Sequence, residues 1–471
     1  MSDEDLCFAT VATLRALLDS REISAVELAE VVLRRMESLE PTLNGMSTVT
    51  ADLAMAQARQ ADARPATDRG GDDVPLSGIP VTIKDLHMVA GYPVQSGSRI
   101  FADRIAEADS PFVARLKDAG AVILGKTTTP EFGWKGVSES PLTGITSNPW
   151  RAGYNAGASS SGAGVGAAAG YGPLHQGSDG AGSVRMPAHF CGVFGLKPTY
   201  GRIPNWPVPN NDEGSHIGPI TRTVGDSAAM LKVMVGPHHL DHTSLEADPA
   251  DYPGRLESTL QGRRIAFSPD LGHARVDPEV ARLVADAVRA FEDMGCQVEE
   301  VTPDFGTLGP ELGRFFWCAH EQVMGCYVEE HEAVMDPGLV ACIREGEGTT
   351  VVDYLRMRER KYRYVNQIHS FMENWDLLLT PAVSVAAFPA DQLQPDHWPA
   401  HAWDWLRWAE FSYPFNMSGS PAASVPCGMT AGGLPVGLQI VGKRFDDLGV
   451  LQASAAFEAM RPWAFARDPA R

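Results

Sequence analysis

Helical periodicity and short β-branched runs alternate along most of this chain. That alternation narrows its fold more than any other feature. The helical stretch "PFVARLKDAG" is followed by the apolar run "AVILGK". Further on, "RRIAFSP" precedes the helical "PEVARLVADAVRAFEDMG", which leads into "CQVEEVTP", and "DLLLTPA" follows a helix over Tyr362 to Trp375. The run "IPVTIK", bounded by Gly78 and Asp85, reads as another strand. Elements in this order predict an α/β fold with a mixed or largely parallel sheet. At the amino end, Leu14, Leu17 and Leu18 and then Leu28, Val31 and Val32 mark two helices. Ser24 and Glu27 are spaced as a capping box that opens the second. A third helix is expected over "TADLAMAQARQADAR", and a surface loop over 66–74. With 471 residues, 44% of them hydrophobic, one large core is affordable. Neither an internal repeat nor a Pro/Ser-rich linker divides the chain. A single domain over 1–471 is therefore expected: an N-terminal helical region (1–65), a motif-bearing core (78–225) and a helical lid from about 304 to 360.

Charge and composition remove several function classes. A formal net charge of -20 repels nucleic-acid phosphates and anionic membrane surfaces. The one dense basic run, "RMRERKYR", falls in a helical segment and reads as a solvated face. No apolar run is long enough to span a bilayer, and "MSDEDLCFAT" lacks the layout of a signal peptide. Seven cysteines without CxxC pairing suit reduced thiols in the cytoplasm, and Cys191, Cys318 and Cys427 read as small buried hydrophobes. A monomer or homodimer is expected.

Several motif matches fail on physical grounds. "GAVILGKT" fits the Walker A pattern, but its inner residues are themselves an apolar strand rather than a phosphate-cradling loop. Pro130 also interrupts any helix that would follow. It reads as a core strand ending in an exposed Lys126. "GAGVG" lacks the third dinucleotide-binding glycine and a preceding strand. "HEQVM" and "HEAVM" begin like a zinc-protease helix, but Met324 and Met335 stand at the second ligand position, so both read as solvated helix faces. The chain holds no G-x-S-x-G elbow.

Three pieces remain: "GIPVTIKDL" with Lys84, "GASSSGAG" with Ser159 to Ser161, and "GSDGAGSVRMP" with Ser183. Together they suit a nucleophilic site that needs no histidine. A serine hydroxyl attacks only when a base takes its proton, and a lysine is such a base only when neutral. Lys84 ends an apolar strand, where desolvation lowers an amine's pKa. The turn "DGAGS" is small enough to aim several backbone N–H groups at one oxyanion. Candidate pocket walls are Phe132, Trp134, Pro204 to Asn210, and Phe315 to Cys318 with Phe316 and Trp317. The Trp-rich "DHWPAHAWDWLRWAEF" suggests a loop over a hydrophobic cavity.

At these motifs the chain resembles the amidase signature family, including its aryl acylamidase- and urethanase-like bacterial members. "GKTTTPEFGW", "SNPW", "GSDGAGSVRMPAHFCGVFGLKPTYGR", "GPITRTVGD" and "PFNMSGSPAASVPCG" carry the resemblance from about Leu14 to the C-terminal segment, in matching order. It implies the amidase signature fold, a large mixed β-sheet flanked by helices on both faces, and a Ser/cis-Ser/Lys triad. Ser183 would be the nucleophile, Lys84 the base, and Ser159 the bridging serine preceded by a cis peptide bond. The oxyanion donors would be Gly180, Ala181, Gly182 and Ser183, with Ser160, Asp179 and Arg185 in support. Ala158, Ser161 and Ala181 stand where the family has glycine. The implied activity is amide-bond hydrolysis through an acyl-enzyme, without metal or cofactor, on a small, uncharged hydrophobic or aryl amide, ester or carbamate. The alternatives are the glutaminase subunit of a tRNA-dependent amidotransferase and a catalytically silent binding protein on the same fold.

Overall fold

The computed structural model describes residues 1–64 and 74–463. Among these, eleven strands form one mixed sheet. In chain order they are β1 (Met46–Val49), β2 (Pro80–Lys84), β3 (Val122–Thr127), β4 (Leu174–Asp179), β5 (Phe194–Lys197) and β6 (His216–Thr221). The rest are β7 (Arg264–Phe267), β8 (Gln297–Glu300), β9 (Leu377–Pro381), β10 (Ala422–Met429) and β11 (Pro435–Gly442). Across the sheet the order is β1-β3-β2-β4-β6-β5-β10-β11-β9-β7-β8. β2 runs parallel to both β3 and β4, and β7 runs parallel to both β8 and β9. The remaining neighbours pair antiparallel.

Both faces of the sheet are covered, and side-chain alternation shows how. Leu377 and Leu379 of β9 join one large apolar cluster, while Leu378 between them joins another. Ile265 and Phe267 divide from Ala266 in the same way, as does Ile440 from Val441. Successive strand residues point to opposite faces, so two clusters on one strand mean two packed layers. The expected α/β fold is the one observed.

The capping box at Ser24 is present: its hydroxyl accepts from Glu27 N at 3.1 Å, and the Glu27 carboxylate accepts from Ser24 N at 2.8 Å. The loop expected over 66–74 lies outside the described residues except for Val74. "GAVILGKT" is a strand, as its apolar interior requires, but Lys126 is not exposed. It is fully buried and paired with Asp85 at 3.0 Å, a partner from the end of the neighbouring strand.

Candidate active site

Two parallel neighbours, β2 and β4, deliver the site at their carboxyl ends. Every residue of β2 is buried, and its last, Lys84, is fully so. Its Nζ donates to Ser159 Oγ at 2.7 Å, to Ser178 Oγ at 3.1 Å and to Ser178 O at 3.3 Å. Burial pulls the amine down from its ordinary 10.5 to about 7, against an opposing pull from the Asp179 charge. Near neutral pH a large share of Lys84 is therefore unprotonated and can take a proton from a hydroxyl it touches.

Ser159 comes from the small-residue block. The peptide bond between Ala158 and Ser159 is cis, as the resemblance implied. The block then enters the helix Ser161–Ala169, in which every residue is buried. Gly157 has φ +77°, and a Cβ there would sit 2.6–2.7 Å from the backbone of Met186 and Pro187. The composition thus serves close backbone packing between two loops. Ser160 joins them further. Its N donates to Ser183 O at 3.2 Å, and its hydroxyl donates to Ser178 O and accepts from Ser178 N, both at 3.1 Å. Ser161 Oγ is buried without a partner, and nothing in the structure explains a serine there.

β4 ends at Asp179, and the chain turns through residues 180–184 into the helix Arg185–Cys191. Arg185 Nε and Nη2 grip the two Asp179 oxygens at 2.9 Å each. Its remaining N–H groups reach Ser412 O, Gln439 Oε1 and Asn416 Oδ1, and Asn416 Nδ2 reaches Asp179 O at 2.8 Å. Burial pushes the Asp179 carboxyl up, but the Arg185 guanidinium, with Lys197 and the Asn416 amide, outweighs it and holds the group well below the usual carboxylate range. Asp179 and Arg185 therefore brace the turn from behind. One expected oxyanion donor is lost to that bracing: Gly182 N donates to Asp179 Oδ1 at 2.6 Å. The amides of Gly180, Ala181 and Ser183 have no acceptor among the described residues. Gly182 has φ +115°, and a Cβ there would stand 2.5 Å from Ser412 Oγ. Ala181 does not have positive φ, so its methyl replaces the family's glycine without backbone strain.

Ser183 shares one pocket with Ser159 and Ser178, and its hydroxyl has no partner among the described residues. The cavity leaves about 150 Å³ open to water-sized groups. Leu86, Phe132, Phe316, Trp317 and Leu406 form its apolar wall. Trp134, expected on that wall, lies one layer behind it. It is 1% exposed, and its carbonyl accepts from Trp317 Nε1 at 3.0 Å and Trp405 Nε1 at 2.9 Å. The Trp-rich segment is likewise core and not a loop over the cavity. Trp405 and Trp408 pack on each other and on Trp317, Phe190 and Phe388, and only Leu406 reaches the pocket. Pro204 to Asn210 stop short of it; Asn211 lines it, while Trp206 packs near Met88, Val94 and Ala106.

Sequence reasoning missed several polar residues of this pocket, among them His320, Glu321 and Lys361. The first two belong to "HEQVM", expected as a solvated face, and the third to the basic run. Lys361 is buried against Asp212 at 2.6 Å. The available signal was helical spacing, since Gly313, Phe316, Trp317, His320 and Glu321 recur at three- and four-residue intervals along one helix.

Comparison with known proteins identifies the family. The family model described as Amidase matches residues 27–451. The chain is 39% identical to an acylamidase of Rhodococcus erythropolis over 98% of both chains. It is 32% identical to a glutamyl-tRNA(Gln) amidotransferase subunit of Geotalea daltonii, over 96% of this chain and 97% of that one. Its fold superposes on a bacterial aryl acylamidase, described as an amidase signature enzyme, with TM-score 0.89 and 28% identity over 98% of each chain. By the reach of that match and the identity to its relatives, the chain belongs to the amidase signature family of amide hydrolases.

Proposed function

We propose that Ser183 attacks the substrate carbonyl while Lys84, acting through Ser159, accepts its proton. The observation that carries this reading is the buried Lys84 amine, lowered to about 7 and 2.7 Å from Ser159 Oγ, in one pocket with an unpartnered Ser183 hydroxyl. The amides of Gly180, Ala181 and Ser183 hold the oxyanion. Ser159 returns the proton to the leaving amine or alcohol, which departs as the Ser183 ester forms. Water, losing its proton to the same relay, then cleaves that ester. Asp179, Arg185 and Ser160 position these groups.

The substrate class follows from the wall of Phe132, Phe316, Trp317, Leu86 and Leu406. Such a surface suits hydrophobic or aryl amides, esters and carbamates, with urethane cleavage included. Residues 304–360, which contribute Gly313, Phe316, Trp317, His320 and Glu321, act as the pocket's cover. Among the described residues no helix is long and apolar enough to cross a membrane, and all seven cysteines are free thiols. We place the enzyme in the cytoplasm, as a monomer or homodimer. Similarity to amidotransferase subunits supports a second reading, glutamine hydrolysis. A panel of anilides, aryl esters, carbamates and glutamine, assayed with the purified chain and with Ser183→Ala, separates the two. Cleavage of glutamine but of no anilide would refute the hydrophobic-substrate reading. Undiminished cleavage by Ser183→Ala would refute the assigned nucleophile.

A further inference from the structure

One carboxylic side chain that lines the pocket has no evident function. Glu321 ends the helix Gly309–Glu321 and lines the pocket, keeping part of its surface open. Among the described residues it has neither a hydrogen-bond nor an ion-pair partner. Its titratable neighbours leave it unpaired. Lys361 is bonded to Asp212, and His320, held low at about 4 by burial, lies 3.4 Å from Tyr354 Oη. Across the helix contact, Cys342 faces Cys318, and at the far end Arg314 is paired with Asp404 and Glu410. Burial lifts the Glu321 carboxyl to about 8. An unpaired carboxyl on an apolar wall costs stability unless a ligand supplies its partner.

The position of Glu321 says where that partner would be. Gly313, at the other end of the same wall, packs against Tyr413. Tyr413 shares a short helix with Asn416, which contacts Asp179 behind the oxyanion turn. Glu321 lies eight residue steps along the helix from Gly313, a rise of about 12 Å. Between them the wall presents Phe316 and Trp317, with Phe132 also lining the pocket. Apolar chains pack on such rings, and aromatic faces also favour cations.

We propose that Glu321 is a specificity-determining residue that pairs with a protonated primary amine at the substrate end remote from the scissile amide. This deepens the amide-hydrolase reading above and rests on it for which end of the pocket is reactive. The preferred substrates are then amides with an apolar spacer and a terminal ammonium group, borne on either the acyl or the amine side. On binding, the ammonium takes the carboxylate as its partner, and the Glu321 proton leaves to solvent.

Calorimetry on Ser183→Ala protein tests this without turnover. The ligands are 6-aminohexanoyl anilide against hexanoyl anilide, N-(6-aminohexyl)benzamide against N-hexylbenzamide, and the anilide of adipamic acid. At neutral pH we expect one amine ligand to bind at least about tenfold tighter than its alkyl analogue. Its binding should release close to one proton, read from the dependence of the heat on buffer ionisation enthalpy. Both effects should vanish in Ser183→Ala/Glu321→Gln, and proton release should persist with Glu321→Asp. Equal affinities within both pairs, a preference that survives Glu321→Gln, or equally tight binding of the adipamic anilide without proton release would each overturn the proposal. Failure of the underlying mechanism is a separate result, seen as hydrolysis of hexanoyl anilide by Ser183→Ala at the parent rate.

Discussion

The pH dependence of hydrolysis is the sharpest test of Lys84 as the base. A lysine with the ordinary value of 10.5 would be neutral in only about one molecule in three thousand at pH 7. Burial brings the Lys84 amine to about 7, so roughly half the molecules carry the active form at that pH. The expected kcat/KM for an uncharged anilide rises about tenfold per pH unit below about pH 6 and levels off above about pH 8. Initial rates from about pH 5 to 9, at substrate well below KM, measure this limb. Lys84→Met should lower kcat/KM by at least about a thousandfold and abolish the limb. Its stability carries an independent sign. Because the folded state holds Lys84 below its unfolded value, the unfolded chain binds the extra proton between about pH 7 and 10.5. Wild-type stability relative to Lys84→Met is therefore lowest at pH 7 and below. It recovers across that window at no more than roughly 1.4 kcal/mol per pH unit. Denaturant titrations at about pH 7 and pH 10 read the difference. A pH-independent rate, or a Lys84→Met enzyme within about tenfold of wild type, would refute proton transfer through this amine.

Other perturbations separate the remaining parts of the site. Labelling by a fluorophosphonate probe should occur in wild type and disappear in Ser183→Ala, as read by intact mass; labelling at another serine would reassign the nucleophile. Gly182→Ala should lose about 1–3 kcal/mol of stability, because φ +115° and Ser412 both oppose a Cβ. Ala181→Gly, at a position without positive φ, should change stability by less than about 1 kcal/mol, and equal losses in the two variants would contradict this turn geometry. Arg185→Met leaves Asp179 buried and unpaired, with an expected loss of about 3–5 kcal/mol by denaturant titration. In whatever fraction remains folded, the pH-rate limb should move upward if Asp179 stays ionised. Phe316→Ala should raise KM for anilides more than it lowers kcat, since the ring lines the apolar wall of the pocket.

The sheet was legible because its elements are local. Runs such as "IPVTIK" and "AVILGK" carry their strand character in themselves, and the intervening helices in their own periodicity. The serine-lysine grouping was legible because small residues and an interior lysine break the local rules that a plain core obeys. What sequence reasoning missed depends on partners distant in the chain. Lys126 looks like an exposed strand end until Asp85 lies beside it. Trp134 and Trp405 look like pocket walls until the Trp134 carbonyl accepts from two indoles. Gly182 counts as an oxyanion donor until the Asp179 side chain turns back onto its amide. In each case a polar atom was committed elsewhere, and a sequence does not display hydrogen-bond commitments.

Those commitments explain how the site tolerates a neutral lysine next to an aspartate. Asp179 ends β4, and Lys84 ends the parallel neighbour β2, so the sheet itself brings them close. Left uncompensated, the carboxylate would stabilise the protonated amine, and its pull on Lys84 is in that direction. Arg185 grips both carboxylate oxygens and places a positive charge against the negative one. The field that reaches Lys84 is then closer to that of a dipole than that of a charge, and burial prevails. The same grip orients Asp179 to hold Gly182 N, which shapes the turn that carries Ser183. One ion pair thus performs two tasks that look unrelated in sequence: it shapes the turn that carries Ser183, and it keeps Lys84 from being held in its charged form.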